Sequence, residues 1–327
     1  MATTGRGRRS LTRWGAAVSL SAGLGLGPAL ASTGGTTCIE TRRTKAGLLI
    51  APVNVEKVGQ VSTGGAARTY WFVVDTGSGV TIVDDEVVKA LELPPSARTT
   101  VVTTGGALDV LLSRLSLTFG AVRADDLEVV RNPLKELHAI DPDIHGVLGQ
   151  DVLRQTNWLL DYERGVVIQD PLRGLAPGAD AHRVPVRWVG ERPIVDVSFG
   201  RSASVRLVLD SAATGIVLYR MVAGWTAPSR SHDKFSHIRA LGVERDVPLL
   251  TADTLRVGSA TLAHPVAAIL PQDSDVDEAD GVLPASLFDS LYFDQRDSTA
   301  LLSAPSAASG GRRIIRPRCE AAASFSS

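Results

Sequence analysis

The chain reads as a mostly β protein made of two similar halves, with a few short helices. Three observations carry that expectation. Short Val-rich runs are punctuated throughout by Gly (31 residues) and Pro (17 residues), which is the pattern of strands and turns. Two of these runs end in an acid followed by hydroxyl and small residues. They are Tyr70-Trp71-Phe72-Val73-Val74-Asp75-Thr76-Gly77-Ser78 and Val205-Arg206-Leu207-Val208-Leu209-Asp210-Ser211-Ala212-Ala213. Spacing supplies the third observation. Asp75 precedes Gly146 by 71 residues and Asp210 precedes Gly281 by 71, while the intervals to Gly106 and Gly242 are 31 and 32. Two matching intervals in the same order predict an internally duplicated unit.

At 327 residues the chain is long enough for two domains, and 44% hydrophobic with 21% charged residues is an ordinary globular balance. A formal net charge of -1 gives no global basis for nucleic-acid binding.

In chain order, residues 1–31 read as a cleavable signal peptide. Arg6, Arg8, Arg9 and Arg13 precede an apolar run from Gly15 to Leu30, and Ala29-Leu30-Ala31 suits cleavage. The run is short and Gly-rich for a membrane span, so no stable insertion is expected. Arg8-Arg9 leaves Sec and Tat export both open. The expected location is secreted or periplasmic.

An N-terminal segment, 32–45, leads to a first lobe at 46–172. Its strands begin at Ala46–Val55, with a turn at Ser62-Thr63-Gly64-Gly65 before the Asp75 strand. Asp84 or Asp85 should cap a helix running to Leu93, which Pro94-Pro95 ends. Thr99–Leu112, with Gly105-Gly106 in its middle, predicts a hairpin. Strands follow at Leu115–Phe119 and Leu127–Val130. His145–Gly149 opens a short helix near Asp151–Gln155, and Trp158–Asp161 with Val166–Ile168 closes the lobe as a hairpin.

A Pro/Gly/Ala-rich linker at 173–181 precedes the second lobe, 182–305, where the order repeats. Val184–Val189 and Ile194–Phe199 lead to Asp210. Gly242 marks a second hairpin, and Leu255-Arg256-Val257-Gly258 echoes Leu117-Thr118-Phe119-Gly120. A helix is expected near Ala285–Leu291. The tail, 306–327, is basic.

With both motifs in place, the sequence resembles the aspartic protease superfamily of pepsin-like and retropepsin-like enzymes. Val74-Asp75-Thr76-Gly77-Ser78 with Gly146-Val147-Leu148-Gly149 matches the family pattern, and Gly149 through Leu153 to Asp161-Tyr162 is similar to bacterial retropepsin-like proteins. Leu209-Asp210-Ser211-Ala212-Ala213 with Val282-Leu283-Pro284 is the looser second copy. The resemblance spans about residues 46–305 by motif order. It implies two retropepsin-like β-barrel lobes with the active cleft between them.

By this resemblance Asp75 and Asp210 form a catalytic dyad. Thr76, Gly77, Ser78, Ser211, Ala212 and Ala213 support the two loops, and Gly105, Gly106 and Gly242 mark flaps. Two carboxylates in contact share one proton, so one can activate a water while the other polarises the scissile carbonyl. No cofactor or metal is implied, and the partner is a peptide bound in extended form to a monomeric enzyme. Ala212 stands where the family has Gly, and Pro284 replaces a Gly. A fold that binds peptides without cutting them is therefore the alternative, and a homodimer pairing two copies of Asp75 is a third.

Cys38 and Cys319 are the only cysteines and read as a disulfide joining the chain ends in an exported protein. Unpaired thiols are the other reading. Six scattered His lack a ligand pattern, and the acidic run Asp273–Asp280 lacks the geometry of a calcium loop. Gly77-Ser78-Gly79 is not followed by the Lys-Ser/Thr of a phosphate loop, and Gly-x-Ser-x-Gly is absent.

Overall fold

The computed structural model describes residues 35–59, 67–103, 106–173, 175, 181–200, 204–221, 226, 235–240, 243–270 and 279–303; within 102–107 and 235–245 only the backbone is described. The fold is mostly β, with helices limited to Asp85–Ala90, Lys135–His138 and Gln150–Leu153, plus one 3-10 turn at Ala285–Leu287, among the described residues.

Six strands of the first lobe close into a barrel. Arg68–Val74 lies between Leu49–Lys57 and Ile144–Leu148; Ile82–Val83, Val122–Arg131 and Gly106–Phe119 follow in order. Pairing of Asn54 with Thr118 returns the last strand to the first and closes the ring. Closure removes the open edges that a sheet of this size would otherwise present. Strand Leu49–Lys57 shows why these residues choose β. Leu49, Ala51, Val53 and Val55 enter one apolar cluster, while Leu48 and Ile50 enter another on the opposite face. That is the two-residue period of a strand buried on both sides.

The second lobe repeats the pairings. Arg192–Phe199 runs antiparallel to Ser204–Asp210, as Leu49–Lys57 does to Arg68–Val74. Ser204–Asp210 is parallel to Gly281–Pro284, as Arg68–Val74 is to Ile144–Leu148. Ile216–Leu218 is antiparallel to Gly281–Pro284 and parallel to Val266–Ile269, matching the neighbours of Ile82–Val83. One difference is that the 14-residue strand Gly106–Phe119 is replaced by two, Val243–Thr251 and Thr254–Val257. Gly120 and Gly258, which follow the two echoed segments, share a left-handed φ of 57°.

A third sheet takes strands from both halves in the order Thr37–Glu40, Val166–Gln169, Trp158–Asp161, Ser290–Asp294, Thr299–Ser303 and Ala181–Pro185. At its centre Leu160 pairs with Leu291 and Trp158 with Phe293, whose rings stand 4.7 Å apart. The hairpin of Trp158–Asp161 with Val166–Gln169 is thus joined edge to edge to that of Ser290–Asp294 with Thr299–Ser303. Each would otherwise expose a bare edge of apolar residues, and pairing them satisfies both.

Several local expectations are revised. The Asp84-capped helix exists, with the Asp84 carboxylate accepting from Glu86 N–H at 2.6 Å, but it stops at Ala90. The segment ahead of the expected helix is a strand, Ile144–Leu148, and the helix near Asp151 spans Gln150–Leu153, ending short of Gln155. Leu291 lies in a floor strand, so the helix expected through it shrinks to the turn Ala285–Leu287. The turn at Ser62–Gly65 lies outside the described residues, although its flanking strands pair up to Val55 and Arg68.

Candidate active site

Both acid-bearing strands end at the boundary between the lobes, and the two loops that follow them interlock. Thr76 N–H donates to Ser211 Oγ at 2.9 Å, and Ser211 N–H donates to Thr76 Oγ1 at 3.0 Å. In turn the Thr76 hydroxyl donates to the Leu209 carbonyl and the Ser211 hydroxyl to the Val74 carbonyl, each at 2.6 Å. Thr76 is 0% and Ser211 2% exposed, so water cannot replace these bonds. Losing either hydroxyl would strand buried partners on the opposite lobe.

This interlock brings Asp75 and Asp210 into side-chain hydrogen-bond contact. Each carboxylate rests in a matching backbone cradle. Gly77 N–H and Ser78 N–H donate to Asp75 Oδ1 at 2.8 and 3.0 Å. Ala212 N–H and Ala213 N–H donate to Asp210 Oδ1 at 2.6 and 3.0 Å. Burial raises the pKa of both acids, Asp75 well above the usual carboxylate range, and the Asp210 charge raises Asp75 further. Both cradles oppose that rise by favouring the ionised form.

The two motifs differ where the sequence departs from the family pattern. A Cβ on Gly77 would sit 2.5 Å from Asp210 Cγ, so that position accepts only Gly. Ala212 is under no such constraint. Its φ is not left-handed, its N–H bond to Asp210 is made, and its methyl packs against the apolar cluster of Leu48, Ile50 and Val73 in the first lobe. Pro284 takes φ -63°, which the ring permits, and stays in register with Asp210. Its cost is one bond: the Gly149 N–H that reaches Thr81 Oγ1 at 3.2 Å has no counterpart on a proline.

Three supporting residues escaped sequence reasoning. Asp151 accepts from Thr81 N–H at 2.8 Å and from the Thr81 hydroxyl at 2.6 Å, pinning the turn after Asp75. Gln150 donates through Nε2 to the Thr76 carbonyl at 2.8 Å and through N–H to the Ser78 carbonyl at 2.9 Å. The signal was the run Gly149-Gln150-Asp151, but only the fold shows which loop it serves. Below the pair lies Tyr162, 6% exposed, whose hydroxyl has no hydrogen-bond partner among the described residues. Burial pushes its phenol pKa far up, with the Asp210 and Asp75 charges adding to the shift.

Gly105 and Gly242 lie outside the described residues. Gly106 begins the strand Gly106–Phe119, which pairs with Pro95–Thr103 up to Thr103 and Gly106. Phe235–Ala240 and Val243–Thr251 likewise pair up to Ala240 and Val243. A hairpin therefore stands in each lobe where a flap was expected. Cys38 sits in the floor strand opposite Ile168, and Cys319 lies outside the described residues. So do Asp273–Glu278, whereas Asp280 accepts from Arg220 Nε at 2.8 Å. His138, unassigned in the sequence, reaches Asp84 at 3.0 Å and the Ile144 carbonyl at 2.9 Å, tying a loop to the first helix.

Fold and site together define a mostly β protein, a closed barrel and a second sheet, with a hydrogen-bonded carboxyl pair where the two meet. Residues 58–152 match the model of an aspartyl protease family, a segment that holds the first Asp-Thr-Gly and its Gly146–Gly149 partner. That match supports aspartic-protease-type function in general terms and a peptide as substrate. No curated protein is significantly similar to the chain. No helix among the described residues is long and apolar enough to cross a membrane.

Proposed function

We propose that the protein is an aspartic endopeptidase in which Asp75 and Asp210 share one proton. The ionised member takes a proton from a water as it attacks the scissile carbonyl. The protonated member donates to the carbonyl oxygen, giving a tetrahedral diol without a covalent enzyme intermediate. Collapse of that diol returns a proton to the leaving amine. The substrate lies extended across the cleft, beneath the hairpins, held mainly through its main chain. The observation that carries this reading is the contact between the two carboxyls inside matching N–H cradles. Because the second carboxyl comes from the same chain, the reading needs no dimer and describes a monomer.

Export through a signal peptide at 1–31 and a Cys38–Cys319 disulfide beneath the floor sheet belong to the same proposal. The test is cleavage of a diverse peptide mixture across acid to neutral pH, beside Asp75→Asn and Asp210→Asn. Either substitution should lower kcat/KM by roughly 10²–10⁴-fold. Cutting that survives both substitutions would overturn the dyad. No cutting by folded wild-type protein would favour the peptide-binding alternative.

A further inference from the structure

The backbone around the two carboxyls is matched, but the side chains behind them are not. In the first lobe, Ile50 pairs with Val73, and continuing that register two residues brings Leu48 across from Asp75. In the second lobe, Ile194 pairs with Val208, and the same continuation brings Arg192 across from Asp210. Residues opposed in an antiparallel pair project to the same face. By this register the buried Leu48 stands opposite Asp75, and Arg192, whose charge acts on Asp210, stands opposite that acid.

The turn that carries Arg192 is held in place from the other lobe. Val189 pairs with Arg192 to make a tight hairpin through Gly190 and Glu191. Glu191 forms an ion pair with Arg154, whose guanidinium also lies 4.4 Å from the centre of the Trp188 ring. Gly79, three residues past Thr76, leaves room for this turn, because a Cβ there would sit 2.9 Å from the Gly190 carbonyl oxygen. First-lobe residues thus brace the second-lobe hairpin from two sides.

We propose that Arg192 is a positioning residue that breaks the symmetry of the pair, holding Asp210 as the ionised, water-activating member and leaving the shared proton on Asp75. The inference rests on the reading of Asp75 and Asp210 as a working pair. The charged and titratable groups that face the pair or the Arg192 turn include Arg192 on the second-lobe strand, the Glu191–Arg154 ion pair beside it, and Tyr162 on the floor with Arg43 beyond it. Arg192 acts on Asp210, where it joins the Ala212 and Ala213 N–H bonds and the Asp75 carboxyl in opposing the rise caused by burial. Tyr162 is neutral across the working range and favours neither acid by charge.

The test is a carbon-13 carboxyl titration of the full chain labelled at aspartate, with the two resonances assigned from Asp75→Asn and Asp210→Asn. In the wild-type protein Asp210 should ionise first. In Arg192→Gln its midpoint should rise by about one pH unit, with a smaller rise at Asp75, and Arg192→Lys should restore both. Asp75 ionising first in the wild type, or an unmoved Asp210 midpoint in the Gln variant, overturns the proposal. The wild-type titration needs no variant at position 192, so a folding failure there leaves the question decidable. The readout is also independent of turnover. A shifted Asp210 in a protein that cuts no peptide rejects the proposed function and keeps the inference, and active protein with an unmoved Asp210 does the reverse.

Discussion

At the scale of single residues, the site is defined by what each position can tolerate. Gly77→Ala should clash with the Asp210 carboxyl and abolish cleavage, because the struck atom belongs to a residue fixed by two backbone bonds. Ala212→Gly should leave kcat/KM within about 3-fold, since the Ala methyl displaces nothing and the cradle bond is already made. Asp151 gives a pH signature. Burial raises its pKa to about 6, whereas in an unfolded chain a carboxyl titrates near 4. The native state thus keeps a proton that the unfolded state has released. The linked stabilisation is complete below about pH 4 and lost as pH rises through about 6. Asp151→Asn should flatten the stability profile in that window, by at most about 3 kcal/mol. Denaturant midpoints measured at each pH for both proteins would check it, and parallel curves would count against it. The two acids were legible from the sequence because a carboxylate ending a buried apolar strand has few bland uses. Asp151 was not, because nothing local marks an acid that serves a turn 70 residues earlier.

At the scale of elements, the two loops and the strands feeding them form one hydrogen-bonded unit. Ser211→Ala removes the donor to the Val74 carbonyl and the acceptor for Thr76 N–H, leaving two buried groups unpaired. The expected loss is about 2–4 kcal/mol of stability, together with a fall in activity, read from chemical denaturation and from kcat/KM. A loss confined to activity would mean that the interlock aligns the loops without holding the lobes. Strand positions were well indicated by apolar runs between turn residues. Helix ends were not: Leu91–Leu93 and Phe288–Leu291 carry apolar patterns that suit helix or strand, and burial against neighbouring strands decides between them.

At the scale of the whole molecule, the closed barrel of the first half and the second sheet are joined by a shared floor and a shared core. One apolar cluster runs from Leu49 and Phe72 through Trp158 and Leu160 to Leu207, Leu291 and Phe293. Such continuity predicts a single calorimetric unfolding transition rather than one for each lobe. Two resolved transitions would show that the floor couples the lobes weakly. Leu291→Ala, at the floor's centre, should lower that one transition by about 2–5 kcal/mol of stability without splitting it.

The sequence by itself determined the mostly β class, the two acid-ending strands, their equal spacing to a second apolar segment, and a helix capped at Asp84 or Asp85. These follow from local rules, since periodicity, turn residues and repeated intervals are written along the chain. Only the tertiary structure decided that the closing hairpins merge into one floor, that Thr76 and Ser211 exchange bonds across the boundary, and that Ala212 and Pro284 fit. It alone also gave the strand register that puts Arg192 opposite one acid and Leu48 opposite the other. Each of those depends on register and contact between segments far apart in the chain, and neither quantity has a local signature.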